Sequence, residues 1–389
     1  MSLFLTRQPI VNRLGKIVAT RFCVHDCKGN AAATVDALND LTDSWPQGGH
    51  GLFFRFETPL DRAALLDWVA PANAVVELPG APFGGEEGSN FVAALRESGL
   101  SLCYDFDADS HEVFASGAHF RFIGFDVTSF SPAQLQALTA QTEAVGIPLA
   151  LNVDEQQEFR VCLDAGMSAA AGWFIKRPAG APAKQLNASQ AHIVRVLNLV
   201  RGNADVGEIE TALKQDVALS YKLLRYINSV GFGLSCEVQS FRHAVAILGY
   251  DKLNKWLSLL LVTATRDPQA STLMHTAVAR GRLMEQLGEG LIDPSEHDNL
   301  FITGAFSLLD RLLGVEMGQV LDTMRLPPPV TDALLGGNGL YAPFLELARA
   351  CEEGSGAMLA EKSGLLGLSS ERLNRAHLAA LAFADAMEY

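Results

Sequence analysis

Along the first half of the chain, apolar residues gather in short, evenly spaced runs. Residues 17–22, 52–56, 74–78, 100–104, 121–126 and 147–151 each have strand character. The stretches between them carry helical signals. Thr58-Pro59 opens LDRAALLDWV and Ser131-Pro132 opens AQLQALTAQTEA, in each case a hydroxyl cap followed by proline at the first helical position. Asp154 is read as the cap of EQQEFRVCLDAG, with Gly166 ending that helix. Strand and helix alternating at this spacing predict a parallel sheet with crossover helices, and six or more such units favour a barrel over an open sheet.

The pattern changes after the Pro/Gly/Ala stretch at 178–184, which reads as a connection. Strand signals stop there. Residues 188–201, 206–214, 216–229, 240–249, 251–265, 271–288, 297–313 and 316–323 have apolar positions at helical spacing, and Pro327, Pro328 and Pro329 interrupt the series. The apolar run KWLSLLLVTA at 255–264 is expected to be a core helix. The expected fold is an α/β barrel over residues 1–180 followed by an all-α domain over 185–389, as suits a chain of 389 residues.

Composition narrows the function classes. Hydrophobic residues make up 49% and charged residues 19%, an ordinary globular mixture. The formal charge of −14, with scattered basic residues, argues against a nucleic-acid partner. The longest apolar run, 256–264, is far short of the roughly 20 residues that cross a bilayer, so no membrane association is expected. Six cysteines at 23, 27, 103, 162, 236 and 351 do not have the spacing of a disulfide framework, and the expected setting is the reducing cytoplasm.

Several segments carry a resemblance to a known family. RQPIVNRLGKIVATRF, NAVVELPG, ESGLSLCYDF, HFRFIGFDV, PLALNVDE and AAGWFIKRP, in this order, resemble successive segments of EAL domains, the barrel phosphodiesterases that hydrolyse cyclic-di-GMP. NLFITGAFSLLDRLLG followed by MRLPPPVTDALLGGNG resembles the HDOD domain, a helical relative of HD phosphohydrolases that lacks their metal ligands. The chain as a whole resembles proteins that fuse a degenerate EAL domain to HDOD.

Phosphodiester cleavage of the EAL kind needs divalent cations, held by carboxylates at the C-terminal ends of barrel strands. The resemblance places the signature Glu at Arg21, with Phe22 and Cys23 after it, and the Asn ligand of the next strand at Arg55. Glu77 keeps its acid. The paired Asp-Asp-Phe becomes Asp105-Phe106-Asp107. The catalytic Lys position is Gly124, with Asp126 retained two residues on. The following Glu is Leu151 with Asp154 nearby, and the Gln of Gln-Gly is Ala171 before Gly172. Guanidinium groups at 21 and 55 put fixed positive charge where cations would sit. The expectation is that they pair with Glu77 and Asp105, the alternative being that they point to solvent.

Among other candidates, Cys23, His25 and Cys27 would share one face of an extended strand but lack a fourth ligand. His192, His243, His275 and His297 do not assemble a metal cluster by spacing, and Ser307-Leu308 stands where HD enzymes carry His-Asp. GFGLS at 231–235 and GGNGL at 336–340 read as helix connections. The expected function is a non-enzymatic bacterial signalling adaptor without a cofactor or metal, acting on unknown signalling proteins in a cyclic-di-GMP-related pathway. Weak cyclic-di-GMP binding and homo-oligomerisation stay open. The alternatives are a cyclic-di-GMP sensor, a phosphodiesterase with shifted ligands, and a helical phosphohydrolase in the second half.

Overall fold

The computed structural model describes residues 3–26, 30–47, 49–58, 60, 62–78, 86–106, 120–142, 145–176, 186, 188–215, 241–262 and 270–387. The chain divides into two compact units, Met1–Ala179 with Arg349–Ala382 and Gly180–Ala348 with Phe383–Tyr389.

The first unit is built on a closed barrel of eight strands in sequential order: β1 (Leu3–Asn12), β2 (Ile17–Asp26), β3 (Gly51–Phe56), β4 (Ala74–Leu78), β5 (Ser101–Phe106), β6 (Phe122–Asp126), β7 (Ile147–Leu151) and β8 (Ala169–Ala171). The six strands predicted from periodicity are β2 to β7. β2 through β8 run parallel, whereas β1 is antiparallel to both neighbours. A tight turn at Gly15, with φ of 74°, folds β1 back on β2.

Side chains alternate between the barrel interior and the surrounding layer, the period of two expected of strands. Ile10, Ala19, Phe53, Val75, Cys103, Leu149, Leu151, Ala169 and Ala171 fill the interior. Burying side chains such as Phe53 or Leu149 is worth about 1.5–3 kcal/mol each. The alternate positions Phe22, Phe54 and Phe125 are buried outside the barrel, where Phe22 and Phe54 pack with Trp45.

Helices Ala31–Asn39, Arg62–Asp67, Pro132–Thr142 and Gln156–Asp164 connect the strands. The Ser131-Pro132 start is present, and the Ser131 hydroxyl donates to Gln134. Before Gln156–Asp164 the cap lies one residue later than expected. Glu155, not Asp154, forms a capping box with Glu158, because the same Glu158 oxygen accepts both the Asp154 and Glu155 amides. Gly166 ends the helix with φ of 99°. Of the Thr58-Pro59 start, Pro59 lies outside the described residues, and the helix begins at Arg62.

The second unit is helical. Ala188–Arg201, Val206–Lys214, Ala270–Gly288 and Met317–Asp322 correspond to predicted helices, while 216–229 lies outside the described residues. Phe241–Val262 spans two predicted helices with a break at Gly249. The predicted helix 297–313 divides into His297–Phe306 and Leu309–Leu313, the second ending on left-handed Gly314. Every residue from Trp256 to Val262 is buried, as a core helix requires. Helices 270–288 and 297–306 meet at two glycines: a Cβ on Gly304 would lie 2.7 Å from the Gly281 Cα. Among the described residues, no helix is long and apolar enough to cross a membrane.

Candidate functional site

Parity places the candidate residues. Arg21, Arg55, Glu77 and Asp105 each stand two residues beyond an interior core position on the same strand, at Ala19, Phe53, Val75 and Cys103. They therefore form the next layer up, toward the C-terminal ends of the parallel strands. All four line a cavity of about 420 Å³ at the barrel mouth.

Arg21 is the centre of this layer. Its Nε donates to Glu77 Oε1 at 2.7 Å and its Nη2 to Glu77 Oε2 at 2.8 Å, a bidentate pair buried on both sides. Nη1 donates to Gln8 Oε1 and Asn152 Oδ1, both at 3.0 Å. Burial works to strip the guanidinium of its proton, but the charge and hydrogen bonds of Glu77 more than offset it and raise the pKa.

The expected pairing thus holds for Arg21 and Glu77. It does not extend to Arg55, which is exposed and has no ion pair among the described residues. Exposed near the end of β3, the guanidinium keeps its hydration. Asp105 is half-buried, and its carboxyl is pushed up to about 6. Burial is the main cause, Glu77 adds repulsion, and Arg21 and Arg55 pull the other way. Charging this group in the folded state therefore costs stability. The cost is absent below pH 3.8, where the carboxyl is protonated in both states, and complete above about pH 6. The shift corresponds to on the order of 2–3 kcal/mol, of which solvent screening leaves about 1. Asp105→Asn should raise the urea midpoint at pH 8, with the gain vanishing near pH 4. An unchanged midpoint at pH 8 would remove this account.

The remaining candidates separate. Asp126 lines up with the mouth through Asn152, whose Nδ2 donates to Asp126 Oδ2 at 2.7 Å, while Asp126 Oδ1 caps Thr128. Gly124 and Leu151 form one complementary contact: a Cβ at 124 would meet Leu151 Cδ1 at 2.5 Å, so leucine fills the space a side chain there would need. Leu151 and Ala171 belong to the apolar interior. Phe106 faces outward and packs on Phe125 and Phe130 at 5.3 and 6.0 Å. Asp154 is exposed on the helix approach. Asp107 lies outside the described residues.

Periodicity did not reveal several residues of the layer. Asn152 adopts a left-handed conformation, φ of 59°, at the end of β7 and ties Arg21 to Asp126. Asparagine is among the few residues that tolerate this backbone, which is the faint signal it left. Arg7, Gln8 and the distant Glu352 and Glu353 also line the cavity.

The other candidates resolve into ordinary contacts. His25 lies between Thr6 Oγ1 at 2.9 Å and Glu57 Oε2 at 3.0 Å. The Cys23 thiol is pushed up by burial, against the pull of Arg21 and Arg55, away from the thiolate character that reactivity requires. Cys27 lies outside the described residues. In the second unit, His275 Nε2 meets Asp385 Oδ1 at 2.7 Å, and Ser307 accepts from buried Arg280 at 2.6 Å. His192, His243 and His297 are half-buried. GGNGL contains left-handed Gly337 and Gly339 after a helical turn, whereas GFGLS lies outside the described residues. Among the described residues, no three His, Cys, Asp or Glu side chains are grouped to hold a metal ion.

Comparison with known proteins follows the same division. Residues 186–314 match the HDOD domain family, so the C-terminal region carries an HDOD domain. The cyclic di-GMP phosphodiesterase CdgJ of Vibrio cholerae is 28% identical over 208 residues, covering 53% of this chain and 48% of CdgJ. The chain thus spans about half the length of that relative. The uncharacterised YuxH of Bacillus subtilis is 24% identical over 375 residues, 90% of this chain and 91% of YuxH. Solved structures similar to the chain include the EAL domain of Mycobacterium smegmatis DcpA, with 13% identity and a TM-score of 0.36. That likeness covers 45% of this chain and 92% of the solved EAL-domain chain. Klebsiella pneumoniae BlrP1 in its calcium and cyclic-di-GMP complex has 15% identity and a TM-score of 0.38, covering 46% and 56%.

Proposed function

We propose that the protein is a non-hydrolytic signalling adaptor of the cytoplasm, working in a cyclic-di-GMP-related pathway through protein–protein interaction. The observation that carries this reading is the doubly bonded Arg21–Glu77 pair. Both oxygens of the buried Glu77 carboxylate accept from a guanidinium, so they are not open to a cation. A hard divalent ion wants several converging oxygens, and the fixed charge of Arg21 repels it. The residues of the layer do not fit a pair of divalent metals. Gly124 and Leu151 further replace polar function with packing.

In this reading the barrel over residues 1–180 is a scaffold, and the HDOD region within 185–389 is the part that engages partners. The name of CdgJ, a relative over about half its length, supports the pathway. The test is incubation of the purified chain with cyclic-di-GMP and magnesium or manganese. No linear product above the protein-free control is expected. Sustained turnover that Glu77→Gln abolishes would overturn the reading.

Arg55 favours a second reading, in which the mouth senses cyclic-di-GMP without cutting it. Its guanidinium is exposed on the cavity and available for bidentate contact with a phosphate. Calorimetry should then give binding that Arg55→Ala weakens about tenfold, the loss of one charge-assisted contact. Equal affinity in the two proteins would remove the sensor role of Arg55.

A further inference from the structure

The segment Arg349–Ala382 groups with the barrel, and its first residues bring acid to the mouth. Glu352 is 3% exposed and is gripped on several sides. Trp173 Nε1 donates to its carbonyl at 2.9 Å, Lys176 Nζ to its carboxylate at 2.5 Å, and Arg7 Nη2 stands 3.7 Å from it. Lys176 also donates to Glu353 at 2.6 Å and lies 3.7 Å above the Trp173 ring. A few residues on, Gly356 sits so close to β2 that a Cβ there would meet the His25 Cβ at 2.8 Å. Farther along, Asn374 holds the edge of β1, donating to the Leu3 carbonyl and accepting from the Leu5 amide.

Charge gives this anchoring a consequence. Among the described residues, three arginines line the cavity against five carboxylates, and two of the five, Glu352 and Glu353, come from this segment. Adding Lys176, which binds both of these acids, the acids outnumber the bases by one with the segment in place, and the bases outnumber the acids by one without it. A phosphodiester anion approaching the mouth meets repulsion from Glu352 and Glu353, which at the same time engage Arg7 and Lys176, cations suited to hold phosphate oxygens.

We infer that Glu352 and Glu353 form an internal anionic latch that holds the segment across the barrel mouth and excludes phosphodiester anions from it. The inference rests on the sensing reading of the mouth. Displacement of the latch is the regulated step: Arg7 and Lys176 exchange a carboxylate of the chain for a phosphate of the ligand. Because ligand and latch compete for the same cations, each weakens the other by the same factor.

The test uses the full chain, with cyclic-di-GMP as probe, and compares wild type with Glu352→Gln/Glu353→Gln. Hydrogen exchange should quicken in residues 349–365 while β2 to β7 keep their protection. Affinity for the dinucleotide should rise between about 5- and 150-fold, the usual span of coupling between two sites. Glu353→Gln alone, whose carboxylate is 58% exposed, retains the fold and should shift both readouts less in the same direction. Unchanged exchange in the double variant overturns the latch. Quickened exchange with equal affinity in variant and wild type overturns the gating alone. Quickened exchange with no binding by either protein brings down gating and sensing together.

Discussion

Arg21→Met is expected to cost the barrel unit about 3–5 kcal/mol, the penalty for removing one partner of a buried ion pair. Glu77, 5% exposed, would be left without the two hydrogen bonds that now satisfy both its oxygens. Gln8 and Asn152 would lose the Nη1 donor as well. Replacing both partners, as Arg21→Met/Glu77→Leu, should recover most of the loss, because no uncompensated charge remains. Urea melts followed by tryptophan emission are suited to this, since Trp45, Trp68 and Trp173 belong to this unit and Trp256 to the other. A single variant as stable as wild type would mean that water, rather than Glu77, balances Arg21. A double variant no better than the single would place the cost in packing instead of charge.

Acid should unfold the same unit through His377. Its ring is 2% exposed and stands edge-on to Phe22 at 6.4 Å. Burial pushes its pKa down to about 3, with help from the charge of Arg7 and against that of Glu352. In the unfolded chain the group titrates near 6.5. Between these values the unfolded state binds the extra proton, so stability is complete above pH 6.5 and falls as pH drops toward 3. The loss attributable to this one side chain is about 3 kcal/mol at pH 4.5, from roughly 1.4 kcal/mol per pH unit. His377→Leu should melt at nearly the same urea concentration at pH 7.5 and 4.5 once the opposing, smaller contribution of Asp105 is removed by carrying Asp105→Asn in both proteins. If wild type and His377→Leu lose equal stability between those pH values, His377 is not the acid-labile group.

Both predictions depend on features with different visibility in the sequence. The strands β2 to β7 were legible because a period of two and regular spacing are local properties, and the helix starting at Ser131-Pro132 was legible because a hydroxyl cap and a proline act within one turn. The three alanines of β8 carry no alternation, and periodicity did not mark them as a strand. Arg21, Arg55, Glu77 and Asp105 were singled out by the resemblance alone; that they form one layer follows from strand parity in the closed barrel. The partners within it did not follow. Arg21 pairs with Glu77 across 56 residues of chain, whereas Arg55, chemically identical, stays in solvent. Nothing in residue type separates the two; strand position and depth do.

What the sequence by itself determined is the alternation that makes a barrel and the helical second half. Only the tertiary structure decided that a guanidinium takes both oxygens of Glu77, that Leu151 fills the space above Gly124, and that Glu352 comes from residues 349–382 to sit beside Arg7 and Lys176. The physical reason is range. Hydrophobic period, caps and turns act between neighbours a few residues apart and can be read one segment at a time. Ion pairing and side-chain complementarity at the barrel mouth depend on closure and register, which bring together residues from strands and helices hundreds of positions apart.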